Sequence, residues 1–247
     1  MKILYFTATG NSLYIAKSFG GETYSIPQLL KENRFEIEDE KIGIVFPVYH
    51  SGVPKIVEEF LDKAKLNADY IFGLATYGLF SGAATRHLIK IGERNGIRFS
   101  YINEIVMVDN YLPGFEMKQQ SDGQSKKRID EKLHKIVSDI KDRRNFIKKS
   151  SVIREPLLSL NQKLYDKEFQ KKFSVNSTCN GCKTCEKVCP VNNIKVTKQP
   201  VFSNNCQHCL SCIQNCPQKA IHIKGEKSSV RYRNTNVTLK EIIDANH

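Results

Sequence analysis

The chain has 247 residues, a formal net charge of +12 at pH 7 and eight cysteines. Its length argues against a small secreted domain stapled by disulfides, and the lack of a secretory leader or of a membrane-spanning apolar stretch predicts a reduced, cytoplasmic setting. The positive charge would suit nucleic acid, but the lysines are spread out, and no helix-turn-helix, zinc-finger or aromatic RNA-binding pattern lies among them.

The first predicted element is a buried strand over residues 2–6, followed by a polar turn and a helical pattern over residues 13–19. This arrangement points backbone N–H groups and a helix N-terminus towards an anion. The turn lacks the ending of a nucleotide P-loop and the three glycines of a dinucleotide fingerprint, and an ordinary helix cap is the alternative. The candidate anion-binding residues are Thr7, Ala8, Thr9, Gly10, Asn11 and Ser12.

Further strands and helices alternate after this turn. The alternation predicts a doubly wound parallel α/β sheet, in which ligands bind outside the carboxyl ends of the strands. We therefore expect the loops at residues 47–54 and 76–82 to form a ligand site together with the first turn. The predicted strands cover residues 41–46, 69–75 and 100–108, the last of which ends the sheet, and the predicted helices cover residues 55–65 and begin again at residue 81.

The middle of the chain is basic and contains one clear helical pattern. Apolar residues repeat at helical spacing over residues 129–140, so residues 126–148 are predicted to form an amphipathic helix that closes the sheet. Residues 114–125 are predicted to be a surface loop, with a lid over the ligand as the alternative. Residues 154–173 are predicted to be a helix or a loop that leads to the next domain.

All eight cysteines lie in two copies of one run, Cys-x-x-Cys-x-x-Cys-x-x-x-Cys-Pro, and the first cysteines of the two runs are 27 residues apart. Thiolates at this spacing are typical of proteins that hold two cubane iron–sulfur clusters, where the fourth cysteine of each run ligates the other cluster. Two zinc sites are the main alternative, although zinc modules usually have a longer spacer between cysteine pairs. The predicted ligand sets are Cys179, Cys182, Cys185 and Cys216 for one cluster and Cys206, Cys209, Cys212 and Cys189 for the other.

A short strand is predicted after each cysteine run, at Ile194–Val196 and at Ile221–Ile223. A unit of about 50 residues buries little core, so the clusters themselves should stabilise it. Electron transfer is the function that this arrangement predicts. The predicted organisation is a sheet domain at residues 1–150, a helical linker at 151–174, a two-cluster domain at 175–225 and a C-terminal tail at 226–247.

Residues 7–12 resemble the phosphate loop of flavodoxins, whose pattern is Thr/Ser-x-Thr-Gly-Asn-Thr, and Ser12 keeps the last hydroxyl. With the cysteine runs, this makes the whole chain similar to the flavodoxin–ferredoxin fusion proteins of anaerobic bacteria and archaea. The resemblance implies a flavodoxin-like doubly wound sheet that binds FMN, followed by a small α+β ferredoxin domain with two [4Fe–4S] clusters. It also implies that two loops enclose the FMN ring and contribute Pro47, Val48, Tyr49, Thr76, Tyr77, Gly78 and Gly82.

Tyr49 and Tyr77 are the candidates for contact with the FMN ring, because aromatic faces stack on a flat ring and shield it from water. Many flavodoxins use a tryptophan there, and this chain has none, so the stacking partner stays open. The backbone amides of Gly78 and Gly82 would approach the polar edge of the ring, since glycine has no side chain in the way.

No pattern typical of catalytic residues is present. His50 and His208 are predicted to be ordinary loop residues, with redox tuning by His50 as the alternative. Two clusters and an FMN phosphate would lower the net charge from +12 to about +6, and the remaining basic surface would suit an acidic partner such as a ferredoxin or a flavodoxin.

The predicted function is electron transfer through FMN and the clusters, which would couple a two-electron partner to one-electron carriers. One alternative is a flavin-dependent reductase of a small molecule that receives electrons from the clusters. The other is a ferredoxin with a flavin-free, flavodoxin-like docking domain.

Overall fold

The structure is a computed structural model, and it describes residues 1–124, 128–150, 156 and 168–247. An N-terminal sheet unit is followed by a smaller unit that carries all eight cysteines. The linker predicted for residues 151–174, with its helix or loop at 154–173, lies mostly outside the described residues. Its described end contains a short 3-10 helix at Phe169–Lys172.

Strands and helices alternate through the sheet unit, as the sequence pattern predicts. The elements are β1 (Lys2–Tyr5), α1 (Asn11–Lys17), β2 (Glu22–Ser25), α2 (Ile26–Lys31), β3 (Glu36–Glu38), β4 (Lys41–Pro47), α3 (Lys55–Lys63), β5 (Lys65–Asn67), β6 (Tyr70–Tyr77), α4 (Ala84–Arg94), β7 (Tyr101–Val106), α5 (Met117–Asp122), α6 (Ile129–Lys141) and β8 (Phe146–Ile147). The short strands β3 and β5 form a separate parallel pair.

Six of these strands form one parallel sheet in the order β2-β1-β4-β6-β7-β8. The order of winding reverses at β1, where Lys2 lies opposite Glu22 on one side and opposite Ile42 on the other. In open α/β sheets, ligands bind beyond the carboxyl ends of the strands beside such a switch point. The topology therefore predicts a ligand site at the loops that follow β1, β4 and β6.

Helices cover both faces of the sheet, which explains why the central strands β1, β4 and β6 are largely apolar and buried. On one face, Phe72 belongs to an apolar cluster with Leu13 of α1 and Leu133 of α6. On the other face, a second cluster contains Phe60 of α3 and Leu88 of α4. The sheet and its helices thus form a stable base for the loops at the carboxyl edge.

Several element boundaries differ from the sequence prediction. α6 is shorter than the helix predicted over residues 126–148, although its apolar stripe is buried as expected. β7 does not end the sheet, because the two-residue β8 pairs with it at the edge. The loop predicted over residues 114–125 contains α5, which begins where the Glu116 carboxylate accepts a hydrogen bond from the N–H of Gln119 at 2.9 Å.

The cysteine unit consists of two halves that are built alike. Its elements are β9 (Phe173–Val175), α7 (Thr184–Lys187), β10 (Ile194–Val196), β11 (Pro200–Phe202), α8 (Ser211–Gln214) and β12 (Ile221–Ile223). β10 pairs with β11 and β12 pairs with β9, both in antiparallel fashion. The two strands predicted after the cysteine runs are therefore confirmed as β10 and β12.

The 27-residue sequence repeat is also a repeat of backbone conformation. After each fourth cysteine, a backbone N–H donates to its sulfur, from Asn193 to Cys189 at 3.2 Å and from Ala220 to Cys216 at 3.3 Å. Left-handed φ angles recur at equivalent positions of the two halves. These pairs of positions are Gly181 and His208, Lys183 and Leu210, and Asn192 and Lys219.

The segment predicted as a separate tail, residues 226–247, returns to the sheet unit. It ends in helix α9 (Leu239–Asn246), whose first turn is closed by a capping box between Thr238 and Glu241. The Glu241 carboxylate also pairs with the Lys17 ammonium of α1 at 2.6 Å, and this hydrogen bond lowers the pKa of Glu241 to about 2. The cysteine unit is therefore joined to the sheet unit on both of its sides.

Candidate cluster sites and adjoining cavity

The eight cysteines surround two small cavities, and each cavity is lined by four of them. We call these cavities cluster site 1 and cluster site 2. The four cysteines at each site form one of the crossed sets that the sequence predicts, and no disulfide joins any of the eight. Cluster site 1 is lined by Cys179, Cys182, Cys185 and Cys216, and cluster site 2 by Cys189, Cys206, Cys209 and Cys212.

At each site the four cysteines border a small space. Within the described residues, no three His, Cys, Asp or Glu side chains are grouped closely enough to hold a single metal ion. A cubane cluster occupies the space between its four thiolates, whereas zinc requires four ligands within about 2.3 Å of one centre. The grouping of four cysteines around each of two cavities suits two [4Fe–4S] clusters.

Most of these thiols lie where a thiolate is unfavourable without a cation. Burial, followed by the nearby Cys216 sulfur, raises the pKa of Cys185 to about 12, and burial raises that of Cys206 to about 11. Burial also raises the pKa values of Cys209 and Cys212. Iron must therefore displace protons when it binds, as is usual for thiolate sites.

Cys182 differs from the other seven cysteines because it is exposed. Burial is the largest single influence and raises its pKa, but the hydrogen bonds of Thr184 and of the Cys182 backbone together outweigh it, so the pKa of Cys182 is lowered. The Thr184 hydroxyl lies 3.4 Å from the Cys182 sulfur. Cluster site 1 is thus the site that reaches the surface.

A larger cavity of about 430 Å³ lies between the two units, beyond the carboxyl ends of β1, β4, β6 and β7. Its volume falls within the range of small-molecule and cofactor sites. All the predicted cofactor-binding residues line it except Gly10 and Gly82. Those that line it are Thr7, Ala8, Thr9, Asn11, Ser12, Pro47, Val48, Tyr49, Thr76, Tyr77 and Gly78.

Hydroxyl groups hold the first turn together and join it to β6. The Thr7 hydroxyl accepts a hydrogen bond from the N–H of Gly10 at 3.0 Å, and the Ser12 hydroxyl lies 2.9 Å from that of Thr76. Gly10 precedes α1 without offering a side-chain cap. The first amides of α1 therefore remain available to an external acceptor.

Gly10 is required by the close approach of the C-terminal segment. Its φ of 95° lies in the left-handed region, and a Cβ at this position would come within 2.9 Å of the Val237 Cβ. Asn234 donates its backbone N–H to the Thr9 carbonyl at 2.8 Å. The residues that follow the cysteine unit thus pack against the back of the turn.

Asn11 links this turn to two distant parts of the chain. Its amide nitrogen donates to the Val108 carbonyl at 3.1 Å. Its amide oxygen accepts hydrogen bonds from the Tyr232 hydroxyl at 2.7 Å and from the Asn234 side chain at 3.1 Å. Sequence reasoning missed Tyr232 and Asn234, because no local pattern marks residues that are more than 200 positions from their partner.

The two loops predicted to enclose a ring are fixed by contacts with their neighbours. Tyr49 packs edge-on against Phe6, with ring centroids 6.0 Å apart. Burial, followed by an electrostatic interaction with the nearby Cys209 sulfur, raises the pKa of Tyr49 well above its usual value. Gly82 has a φ of 58°, and a Cβ there would lie 2.5 Å from Ser51. The close approach of Ser51 explains why glycine is required at position 82. Gly82 itself does not line the cavity.

The wall of the cavity towards the cysteine unit contains His208, Cys209 and Leu210. His208 stacks on Phe169, with ring centroids 4.0 Å apart, and its Nδ1 lies 2.9 Å from Nε2 of His50. Cys209, the next residue in the chain, lines both this cavity and cluster site 2. A ligand in the cavity would lie beside one of the two cluster sites.

The mouth of the cavity carries large apolar side chains. Leu79 is 75% exposed and Phe80 is 46% exposed, and both line the cavity. The backbone N–H of Leu79 donates to the Asp109 carboxylate at 2.9 Å, which holds this loop in place. The sequence prediction did not include Asp109, Asn110 or Phe169, although all three line the cavity.

Comparison with known proteins supports the cysteine unit. Residues 171–217 match the family described as 4Fe-4S dicluster domain. A stretch of 62 residues is 39% identical to a component of the ion-translocating oxidoreductase complex of Methanosarcina acetivorans, and it covers 24% of each protein. The chain thus spans about a quarter of the length of this curated relative.

These matches show that the C-terminal unit is a ferredoxin-like 4Fe-4S domain, and they support iron–sulfur electron transfer. In the parts of the chain that the structure describes, no helix has both the length and the apolar character needed to cross a membrane.

Proposed function

We propose that this protein transfers electrons between two [4Fe–4S] clusters and an FMN that binds in the cavity between its units. The observation that carries the proposal is the position of Cys209, which lines both the cavity and cluster site 2. A cluster held by this thiolate would be adjacent to a bound flavin. FMN, when bound, supplies the exchange between two-electron and one-electron chemistry that the clusters lack.

The strand order of the sheet supports a flavodoxin-like fold. Without the short pair β3 and β5, the main strands follow the order 2-1-3-4-5 with one further edge strand, and flavodoxin-like sheets bind FMN at the switch point of that order. The cavity occupies the same position, beyond the carboxyl ends of β1 and β4. Sheet topology and cavity location thus point to the same ligand.

The residues at the two ends of the cavity suit the two ends of FMN. The hydroxyls of Thr7, Thr9 and Ser12 and the first amides of α1 would hold the phosphate, since hydroxyls and helix amides bind phosphate without a cationic side chain. Tyr49 and Tyr77 provide aromatic surface for the ring. The hydrogen bonds of Asn11 would keep the phosphate end in shape before the ligand arrives.

The order of the sites suggests a path for electrons. Cluster site 1 reaches the surface at the exposed Cys182, and cluster site 2 adjoins the cavity at Cys209. Backbone N–H groups donate to the sulfurs of Cys189 and Cys216, one at each site, and such bonds tune cluster potentials. Electrons would therefore pass between the surface and the cavity through site 1 and then site 2.

Composition of the purified protein is the direct test of this proposal. The full chain, purified without oxygen, should contain about eight iron atoms, about eight sulfides and one FMN. Dithionite should bleach the absorbance of both cofactors. Zinc in place of iron would refute the clusters, and failure to bind FMN at micromolar concentration would favour a ferredoxin with a flavin-free docking domain.

A second candidate function is a flavin-dependent reductase of a small molecule. It is favoured by the exposed Leu79 and Phe80 at the cavity mouth, which would contact an apolar acceptor placed over the flavin. Multiple turnovers with quinones, nitro compounds or disulfides would support it. Absence of turnover with all three classes would leave electron transfer between proteins as the function.

A further inference from the structure

The surface of the cysteine unit is strongly basic. Residues 175–224 contain six lysines and no arginine, and Glu186 is their single acidic residue. The Glu186 carboxylate is already engaged, because it accepts the N–H of Val196 at 2.9 Å and lies 3.5 Å from the ammonium of Lys195. Little negative protein charge is left to neutralise the other lysines.

Three of these lysines belong to segments that surround cluster site 1. Lys183 follows the exposed Cys182 and lines the site. Lys198 lies close to Gly181, which also lines the site. Its carbonyl oxygen would be 3.2 Å from a Cβ placed on Gly181. Lys219 donates its backbone N–H to the carbonyl of Cys216, a predicted ligand, at 3.0 Å.

All three lysines are exposed. Among the residues that the structure describes, none of the three forms an ion pair with a carboxylate, although Lys183 is close enough to Glu186 to act on it electrostatically. An unpaired surface charge keeps its long-range field, whereas a paired one is largely cancelled. These lysines would also offset the negative charge that a cluster with its four thiolates brings to the site.

We propose that the surface around cluster site 1 is the docking site of a small acidic electron-carrier protein. The docking site depends on one part of the proposed function, which is that the clusters carry electrons. Complementary charge would steer the carrier so that its redox centre meets the edge of the cluster beside Cys182. The carrier loses one electron and is oxidised, one [4Fe–4S] cluster gains it and is reduced, and no bond is made or broken.

The experiment uses the iron-loaded full chain without oxygen and a reduced acidic flavodoxin as the carrier. Stopped-flow absorbance gives the second-order rate of cluster reduction at several salt concentrations. The test variant carries Lys183→Glu, Lys198→Glu and Lys219→Glu. At low salt we expect its rate to fall roughly tenfold or more, and the difference should vanish as salt screens the charges.

A control variant reverses three lysines at one edge of the sheet unit. Two of them form ion pairs, Lys63 with Glu59 at 2.8 Å and Lys65 with Glu36 at 2.9 Å. Lys63 ends α3 and Lys65 begins β5. Lys141 lies at the same edge, because its carbonyl accepts a hydrogen bond from the side chain of Lys41, the first residue of β4. The changes Lys63→Glu, Lys65→Glu and Lys141→Glu alter the net charge equally, and we expect them to slow the reaction much less.

A second variant with Gln at Lys183, Lys198 and Lys219 should give an intermediate rate, and iron content shows whether each variant retains its clusters. The cationic methyl viologen radical should reduce the Glu variant at least as fast as the wild type. Equal slowing in the test and control variants, or a wild-type rate that does not depend on salt, would overturn the docking site.

Failure of docking and failure of the proposed function give different results. If methyl viologen reduces the clusters but the flavin stays oxidised, the internal transfer fails while the docking result stands. If the flavin is reduced by methyl viologen but the acidic carrier shows no lysine dependence, the docking site fails alone. Tight binding of an RNA oligonucleotide, lost in the Glu variant, would assign the surface to nucleic acid.

Discussion

His50 and His208 meet across the boundary between the two units, with Nε2 of the first 2.9 Å from Nδ1 of the second. Both residues have left-handed φ angles, of 48° and 58°. A left-handed conformation costs a non-glycine residue on the order of 1 kcal/mol, so the surrounding contacts must maintain it. Stacking of His208 on Phe169 supplies one such contact.

Replacement of His208 by glycine should separate its two roles. Gly181 occupies the equivalent left-handed position in the first half of the repeat, so His208→Gly should keep the full iron and sulfide content. Loss of the imidazole removes part of the cavity wall, and we expect FMN affinity to fall several-fold. Iron analysis and fluorescence titration with FMN measure the two effects.

His50→Ala tests whether the histidines act as a pair. If the hydrogen bond between the two histidines accounts for the effect, the variant with both His50→Ala and His208→Gly should bind FMN as tightly as the single variant with the lower affinity. Additive losses would show that each imidazole contributes separately. Loss of iron in His208→Gly would contradict the equivalence of the two halves.

Cys182→Ala and Cys209→Ala should each remove one cluster but with different consequences. Each variant should lose about four of the eight irons. Cys209→Ala should still accept electrons from an external carrier at cluster site 1 but should no longer reduce the flavin. Cys182→Ala should react poorly with the carrier from the start. Stopped-flow absorbance distinguishes the two, and identical defects would refute the order of the sites.

Ser12→Ala should weaken FMN binding while sparing riboflavin. The Ser12 hydroxyl lines the cavity beside that of Thr76, and a hydroxyl bonded to a charged phosphate contributes about 1.5–3 kcal/mol. We therefore expect FMN affinity to fall roughly tenfold or more, with little change for riboflavin, which has no phosphate. Fluorescence titration with both ligands measures this.

Thr85→Ala is the matched control for Ser12→Ala. The Thr85 hydroxyl is also buried and lies 2.7 Å from that of Ser150, but it does not line the cavity. Its loss should reduce stability without a preference between FMN and riboflavin. An equal loss of affinity for both ligands in Ser12→Ala would place the phosphate elsewhere.

Tyr232→Phe should loosen the first turn from a distance. The Tyr232 hydroxyl donates to the buried amide oxygen of Asn11 at 2.7 Å, and loss of such a bond costs about 1 kcal/mol. We expect a corresponding reduction in the free energy of unfolding and a fall in FMN affinity of roughly fivefold. Iron content should not change, because Tyr232 lies outside both cluster sites.

The clusters should reassemble more readily at higher pH. Burial raises the pKa of Cys185 to about 12 and that of Cys206 to about 11. These thiols are therefore protonated at neutral pH without iron, and metal binding must release their protons. Reconstitution of the iron-free chain with iron and sulfide should thus be more complete at about pH 8 than at about pH 6.5. Equal recovery at both values would contradict this.

Iron removal should affect the two units unequally. The core of the cysteine unit, which includes Cys185, Cys189 and Cys212, also takes in Val108, Leu112 and Met117, whereas the buried cluster beneath α3 and α4 contains, among the described residues, none from the cysteine unit. Hydrogen exchange measured by mass spectrometry should accelerate first in residues 168–225 after iron is chelated. Equal acceleration in the sheet strands would show that the clusters stabilise the whole chain.

Local patterns predicted the strands and the grouping of the cysteines around two cavities for physical reasons. Buried parallel strands require continuous apolar runs, as in β4, and α6 requires an apolar stripe. The cysteine spacing predicted which four cysteines line each cavity because short loops limit where each thiolate can reach. By contrast, β8 has two residues and α5 has six, too few for a periodic signal.

Contacts between distant residues were beyond the reach of sequence patterns. The bonds from Tyr232 and Asn234 to Asn11 depend on how the chain returns after the cysteine unit. The left-handed His208 is different, since alignment of the two cysteine runs places it opposite Gly181. The repeat thus contained a signal for this position that residue-by-residue reasoning did not use.

The return of residues 226–247 to the sheet unit makes the cysteine unit an insertion and not an appended module. A domain on a single linker must find its docking position by diffusion before each transfer, and its rate then depends on linker length. Here the chain is anchored both before and after the inserted unit. The separation between cluster site 2 and the cavity is therefore set once, when the protein folds, and under the proposed function each internal transfer would begin without a search.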